Sequence, residues 1–248
     1  MLLISVEDIQ RGIGAAEPQL EKLQTLYGSL PETLCRCERP GECCMFLPQM
    51  TWMEALQWFR HLLALGPADR ESMVRKFIGF FLSNPVQRSH CPFLSDDGGC
   101  GNYDVRPFAC RAYGMWSVKW GRERTKQSRE GKKALVAMWR RYGVELPKDA
   151  VTHEIDYCDK VAVLGKTPMT DSRLMKRLSR VHQLDDAQPE PKQRFEEGHQ
   201  SDFSALMTAL VWGGVKTNLN KYAVIKDLVQ KGSDRRLKNF LANAADPF

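Results

Sequence analysis

Along most of this chain, apolar positions recur with the three- to four-residue period of an α-helix. Ser5 and Thr51 each precede such a stretch and have an acidic residue three positions later, which is the signature of a capped helix start. The pattern predicts a mainly α-helical fold with little or no sheet. The predicted helices begin at Ser5 and then cover residues 19–27, 51–65, 68–82, 124–142, 148–164, 171–184, 202–211 and 234–244.

Three segments lack this pattern. Residues 32–50 and 86–113 are irregular and contain seven of the eight cysteines. Residues 185–201 are polar, with two prolines and many charges, which is typical of a linker or an exposed loop. We therefore expect a cysteine-containing domain over residues 1–184, a linker over 185–201, and a C-terminal helical segment over 202–248.

The composition favours a globular protein of the cytoplasm. The 248 residues are 43% hydrophobic and 27% charged, with a net charge of +6. No apolar run approaches the ~20 residues of a membrane helix, and the first residues lack the features of a signal peptide. Structural disulfides are rare in the cytoplasm, so the cysteines need another explanation.

Metal binding explains the cysteines better than core packing does, because four of them lie within ten residues, from Cys35 to Cys44. Thiolates suit zinc and the iron of iron–sulfur clusters. The later cysteines are single and widely spaced, which favours a [4Fe–4S] cluster in a cavity assembled from loops, with Zn²⁺ as the alternative. The candidate metal ligands are Cys35, Cys37, Cys43, Cys44, Cys91, Cys100, Cys110 and Cys158. Cys158 is expected to close the site from the predicted helix 148–164.

Cys43 and Cys44 are adjacent in the sequence. In an extended backbone their side chains would point to opposite sides, so one metal ion would not take both without a sharp turn. We therefore expect unequal roles, with one thiol binding the main metal and the other binding a second metal or staying free. One site is favoured over two.

Arginines close to the cysteines could offset the charge of the site. Four thiolates around zinc or a [4Fe–4S]²⁺ cluster leave a formal dianion that needs positive partners or N–H donors. Arg106 and Arg111 flank Cys110 and are expected to support the site. Arg106 would offset thiolate charge or anchor the carboxylate of Asp104.

The cysteine segments also resemble a known family. Cys91-Pro92-Phe93-Leu94, followed by Cys100-Gly101-Asn102-Tyr103-Asp104-Val105-Arg106-Pro107-Phe108-Ala109-Cys110-Arg111-Ala112-Tyr113, resembles the second half of the CxxCxxCC pattern of YkgJ-like zinc- or iron-chelating proteins. The first half of that pattern is C-x-x-C-G-x-C-C. It fits Cys37 to Cys44 with one departure, because Pro40 replaces the second cysteine and Cys35 is an extra thiol.

The resemblance covers roughly residues 35 to 115 and implies an iron–sulfur or zinc protein. It makes Cys37, Cys43, Cys91, Cys100 and Cys110 the strongest ligand candidates. It also implies that Tyr103, Arg106 and Arg111 help to hold the bound group. A related cysteine pattern occurs in the FliB-type flagellin lysine methylases, which are longer chains.

Residues 106–145 carry eleven lysines and arginines against three glutamates, with Trp116, Trp120, Trp139 and Tyr142 among them. We interpret this segment as a solvated helix face with its aromatic residues in the core. Nucleic-acid binding by stacking and phosphate contact is the alternative. His153, His182 and His199 are expected at the surface.

The leading hypothesis is a metal-binding protein with a redox, maturation or metal-handling role. One alternative is a protein-modifying enzyme similar to the lysine methylases. Another is a zinc-stapled interaction module that uses the basic segment to bind a protein partner. The sequence indicates no membrane association, and it reveals neither a catalytic residue nor a substrate, so it leaves open whether the protein is an enzyme.

Overall fold

A computed structural model describes residues 3–36, 41–87, 89–152, 158–164 and 169–248. Within these ranges the protein has twelve α-helices and one two-stranded sheet, which confirms the mainly α-helical prediction. No helix in the described ranges is long and apolar enough to span a membrane. The helices are α1 (Val6–Ala15), α2 (Glu17–Gly28), α3 (Trp52–Leu63), α4 (Pro67–Ser83), α5 (Phe108–Arg111), α6 (Val118–Arg141), α7 (Lys148–Thr152), α8 (Asp171–Leu184), α9 (Pro189–His199), α10 (Phe203–Trp212), α11 (Gly214–Lys231) and α12 (Arg235–Ala242).

Both predicted capping boxes are present. The Ser5 side chain accepts the N–H of Asp8, whose carboxylate accepts the N–H of Ser5 in return. Thr51 and Glu54 make the same exchange at the start of α3. These caps satisfy backbone donors that have no partner inside the helix, which explains why the sequence located both helix starts.

Helix α3 lies at the centre of the core and is buried on almost every side. Its Trp58 ring packs edge-on against Phe93, with ring centroids 4.8 Å apart, and against Phe203 at 5.1 Å. Phe93 belongs to the loop that carries Cys91, so the core holds this loop directly. A second, smaller cluster around Trp139 and Ile225 attaches the end of α6 to α11.

The sheet consists of β1 (Thr33–Cys35) and β2 (Val161–Val163), which pair antiparallel with Cys35 opposite Val161. Beside this pair, Arg36 N donates to Lys160 O at 2.9 Å. The sheet therefore joins the start of the first cysteine group, which includes Cys35, to the chain just after the last cysteine.

The position predicted for Cys158 is wrong. Only Lys148–Thr152 of the predicted helix 148–164 is helical in the described ranges, and residues 153–157, with His153, lie outside them. Cys158 stands before β2, where the β-branched residues of Val161–Val163 favour a strand.

Residues 185–201 also differ from the expected linker. Asp185–Ala187 forms a 3-10 turn, and the following helix α9 buries Phe195 and His199. The two prolines lie in the first turn of α9, where a missing N–H breaks no helical hydrogen bond. His199 is therefore in the core and not at the surface, because α9 packs against the body. The division into two domains stays a prediction.

Candidate metal centre

The first cysteine pair lies in a short 3-10 helix, Glu42–Met45. This turn brings the sulfur atoms of Cys43 and Cys44 to 4.0 Å from each other. The expected divergence of the two thiols is wrong, because it assumed an extended backbone. A 3-10 turn rotates successive side chains by about 120°, whereas an extended strand points them to opposite sides, so the neighbouring thiols stay closer.

Glycine is required directly before this turn. Gly41 has a φ of +91°, a left-handed conformation that residues with a Cβ rarely adopt. A Cβ at Gly41 would also lie 2.9 Å from a methyl carbon of Leu94. Gly41 thus allows the two cysteine loops to approach each other.

The second loop is joined to the first by its backbone. Cys91 N donates to Cys44 O at 2.6 Å. Beyond Cys91 the chain turns back, with Leu94 opposite Cys100 in an isolated bridge and Gly101 N donating to Phe93 O at 2.8 Å. The reversal returns Cys100 towards Cys91, and the buried Phe93 side chain holds the loop in the core.

The third cysteine-bearing segment is the four-residue helix α5, which contains Cys110. Phe108 N, at the start of α5, donates to Glu54 Oε1 at 2.5 Å. The same carboxylate accepts the Tyr27 hydroxyl and, through Oε2, the N–H of Thr51 at 2.8 Å. Glu54 therefore connects the start of α3 to α2 and to the helix that carries Cys110.

The thiols influence one another's ionisation. Burial raises the pKa of Cys91 to about 11 and that of Cys110 to about 12, and other thiols in the group add to the increase. The Cys43 thiol donates a hydrogen bond to Cys44, which lowers the pKa of Cys44 and raises the pKa of Cys43. The decrease in the pKa of Cys44 is opposed by the charges of Cys91, Cys100 and Cys110. Together with the bond from Cys91 N to Cys44 O and the 4.0 Å between the sulfur atoms of Cys43 and Cys44, these effects indicate that the five thiols lie near one another.

Arg106 lies beside this group, and its positive charge acts to lower the pKa of Cys43 and Cys110. Its guanidinium stacks over the Tyr103 ring at 3.6 Å, and its Nε donates to Tyr103 O at 3.2 Å. Arg111 donates to the backbone oxygens of Asp104 and Arg106 and lies over the Tyr27 ring. The contacts of Arg106 are thus with Tyr103, whereas its charge acts on the thiols. Arg111 holds the loop by its carbonyl groups.

The remaining candidate ligands are placed differently. Cys35 is exposed on β1, and Cys37 lies outside the described residues. Cys158 lines a cavity that Phe108 and Ala109 of α5 also line. In the described ranges, no three cysteine, histidine or acidic side chains form a ready-made metal site. The five neighbouring thiols supply suitable donors without a closed ligand set.

A cavity of about 580 Å³ adjoins the cysteine helix α5. The rings of Trp116 and Trp120 stack on each other at 4.8 Å and form one wall. The remaining walls include Phe46, which follows the first cysteine turn, and Arg124 of α6. Trp116 and Trp120 of the basic segment therefore line this cavity, and Trp139 is buried in the second cluster. The expectation of a core position is wrong for Tyr142, which is exposed just after α6 ends.

Residues 36–134 match the model of the CxxCxxCC family, described as a proposed zinc- or iron-chelating domain. The matched residues are called the CxxCxxCC domain below, after the family model to which they are similar. Comparisons with curated proteins and with solved structures find no match. The CxxCxxCC domain includes Cys37 and the five neighbouring thiols, whereas Cys35 and Cys158 lie outside its bounds.

The roles of two residues that hold the cysteine region together, Glu54 and Tyr27, were missed from the sequence. Glu54 was assigned only a helix cap, and Tyr27 was assigned no role. The capping box was the one available signal for Glu54. The other two donors to its carboxylate are Tyr27 and Phe108, which are distant in sequence, at separations of 27 and 54 positions.

Proposed function

We propose that the CxxCxxCC domain binds zinc or an iron–sulfur cluster through thiolates from its separate cysteine loops. The observation that carries this proposal is the meeting of the cysteine segments: Cys91 N donates to Cys44 O, and Cys100 returns beside the same loop through its bridge to Leu94. Cys110 reaches the group from α5, and its charge acts on the pKa of Cys44. Core packing alone would not require thiols from three loops to meet at a half-exposed surface. The description of the family supports the same chemistry.

The proposed ligands are drawn from Cys37, Cys43, Cys44, Cys91, Cys100 and Cys110. Soft thiolate donors suit zinc and iron. Bound zinc would fasten the loops together, and a bound cluster would also carry an electron. The role of this chain is to gather the thiols, to offset their charge with Arg106, and to hold Cys110 through Glu54.

The half-exposed position of Cys43 and Cys44 favours a redox, maturation or metal-handling role in the cytoplasm over a buried structural one. A site used for transfer of electrons or metal must be reachable by a partner. Cys43 is exposed, and Cys44 is intermediate in exposure.

The test is to purify the protein without oxygen and to measure zinc, iron and acid-labile sulfide per chain. Iron and sulfide in equal amounts, with visible absorption from thiolate–iron charge transfer, would identify a cluster. Zinc without sulfide would identify a zinc site. A chain that holds neither metal, and takes up neither after reduction and reconstitution, would refute the proposal.

A further inference from the structure

The positive charge of the protein is concentrated on one helix. Helix α6 (Val118–Arg141) contains nine lysines and arginines and two glutamates, a formal charge of +7. The whole chain has a net charge of +6, so the other residues together carry −1. A basic helix on an otherwise neutral body is a localised electrostatic surface.

The cations of α6 are also aligned. Six of them follow one another at intervals of three, four, three, four and seven residues, which places them on one face of a helix. All six are exposed, and at 1.5 Å per residue the row is about 32 Å long. This row, the α6 cationic face, consists of Lys119, Arg122, Lys126, Arg129, Lys133 and Arg140.

Three of the six cations of this face lack an ion pair among the described residues. Lys133 pairs with Glu130 at 2.8 Å, and Arg140 pairs with Glu145 at 3.0 Å. Lys119, Arg122 and Lys126 have no ion pair among the described residues. The face therefore keeps an excess of positive charge along its length.

The opposite side of α6 packs against the body. Trp139 is buried there, Leu135 is partly buried, and Trp120 lines the cavity beside α5. The cationic face accordingly has no aromatic residue of α6 on which a base could stack. It also lacks the apolar half that an interfacial membrane helix inserts into lipid.

We propose that the α6 cationic face binds the phosphate backbone of a nucleic-acid duplex, either DNA or RNA. A straight row of exposed cations matches a regularly spaced row of phosphates, which supplies sequence-independent affinity through counterion release. With no aromatic residue on the face, single strands gain no stacking energy from it. The surface is separate from the cysteine loops, so this function is independent of the proposed metal site.

The experiment measures fluorescence anisotropy of labelled duplexes of about 20 base pairs, roughly twice the length of the face. DNA and RNA duplexes of the same sequence are compared, together with a single strand, polyglutamate and anionic lipid vesicles. We expect duplex binding with a Kd of about 10⁻⁶ M or tighter at about 50 mM salt. Six phosphate contacts predict about 10³-fold weaker binding at about 200 mM salt.

The decisive variant neutralises the middle of the face with Arg122→Gln, Lys126→Gln and Lys133→Gln. It should bind duplex at least about 100-fold more weakly at about 50 mM salt, and its salt slope should fall by about 2.7. The control carries Lys176→Gln, Arg180→Gln and Lys216→Gln, which remove the same charge from exposed positions elsewhere. The control should keep most of the affinity, and both variants should keep the parent's metal content.

Three results would overturn the proposal. They are the absence of duplex binding at about 50 mM salt, an equal loss of affinity in the control variant, and binding of polyglutamate or vesicles as tight as that of duplex. A difference between the DNA and RNA arms would identify which duplex is preferred.

Discussion

At the scale of single residues, the Glu54 carboxylate makes more contacts than a helix cap needs. It accepts hydrogen bonds from the N–H of Thr51, the N-cap of its own helix, and from the Tyr27 hydroxyl and the N–H of Phe108 elsewhere in the chain. No lysine or arginine pairs with it in the described ranges, so three donors stabilise its buried charge. The position of Cys110 depends on this carboxylate, because Phe108 begins the helix that carries the thiol.

Replacing Glu54 with glutamine should weaken the metal site. The amide NH₂ would face a donor, which leaves a buried N–H unpaired and costs about 2 kcal/mol. With α5 loosened, metal affinity should fall about 10-fold or more, as measured by competition with a chelator. Tyr27→Phe is the control, because it keeps the bond from Phe108 to Glu54. Equal metal affinities in the two variants would contradict this role of Glu54.

Gly41→Ala should separate the two cysteine loops. The substitution combines a left-handed φ with a clash against Leu94, so the free energy of unfolding should fall by about 2 kcal/mol in urea titrations. Gly131→Ala is the matched control, since nothing lies within 4 Å of its added Cβ in α6. That control should be neutral or slightly stabilising. Similar losses in both variants would show that Gly41 has no special requirement.

At the scale of elements, the start of α3 is capped from a distant part of the chain. The Asp185 carboxylate accepts Trp52 N at 2.8 Å and Met53 N at 2.9 Å. These are backbone donors that the first turn of a helix leaves free. Asp185 thereby fixes the segment that the sequence predicted to be a linker.

Asp185 should give the protein a distinctive pH dependence. Burial raises the pKa of Asp185 to about 7 from its ordinary value of 3.8, although the two backbone hydrogen bonds oppose the increase. The folded protein therefore holds this proton more tightly, and the contribution of Asp185 to the free energy of unfolding falls as pH rises from about 4 to about 7. The slope is at most about 1.4 kcal/mol per pH unit.

The comparison of Asp185→Asn with the parent isolates this contribution. The measurement is urea unfolding at several pH values. The free energy of unfolding of the variant minus that of the parent should increase as pH rises from about 4 to about 7. His199 acts in the opposite sense, because burial lowers its pKa to about 4, so the parent's curve alone would conceal the effect. Asp186→Asn, at an exposed neighbour, should run parallel to the parent. A parallel curve for Asp185→Asn would disprove the assignment.

Local signals explain which elements could be predicted from the sequence. The helix starts at Ser5 and Thr51 could be predicted because a capping box needs only four consecutive residues. Helix α9 was missed because Pro189 suggested a break, although proline fits a first turn, and because the burial of Phe195 depends on tertiary contacts. The turn at Cys43 and Cys44 was missed since its shape depends on Gly41 and on contact with the second loop.

At the scale of the whole molecule, the cysteine pattern predicted which loops would meet, but the ligand set stays a prediction. The spacing of the cysteines within residues 91–113 is local enough to appear in the sequence as a motif. The place of Cys158 was not predictable in this way, because β2 forms only by pairing with β1, more than a hundred residues earlier. Glu54 and Asp185 were missed for the same reason, since their partners are distant in sequence.

Cys100→Ser and Cys110→Ser should each lower both metal content and thermal stability, because metal binding and folding are coupled. Cys35→Ser is the comparison, since Cys35 is exposed on β1 outside the CxxCxxCC domain. It should keep the parent's metal content. Full occupancy in the first two variants, measured by elemental analysis of anaerobically purified protein, would exclude these thiols as ligands.

The β1–β2 pairing closes a very long loop with only three residues per strand. Closing a loop over residues 36–160 costs about 4 kcal/mol of chain entropy, more than so short a ladder can supply alone. The pairing therefore persists only while the enclosed segment stays folded. Hydrogen exchange at the amides of Arg36 and Leu164, which bond to Lys160 O and Glu32 O, should report the integrity of the entire cysteine region.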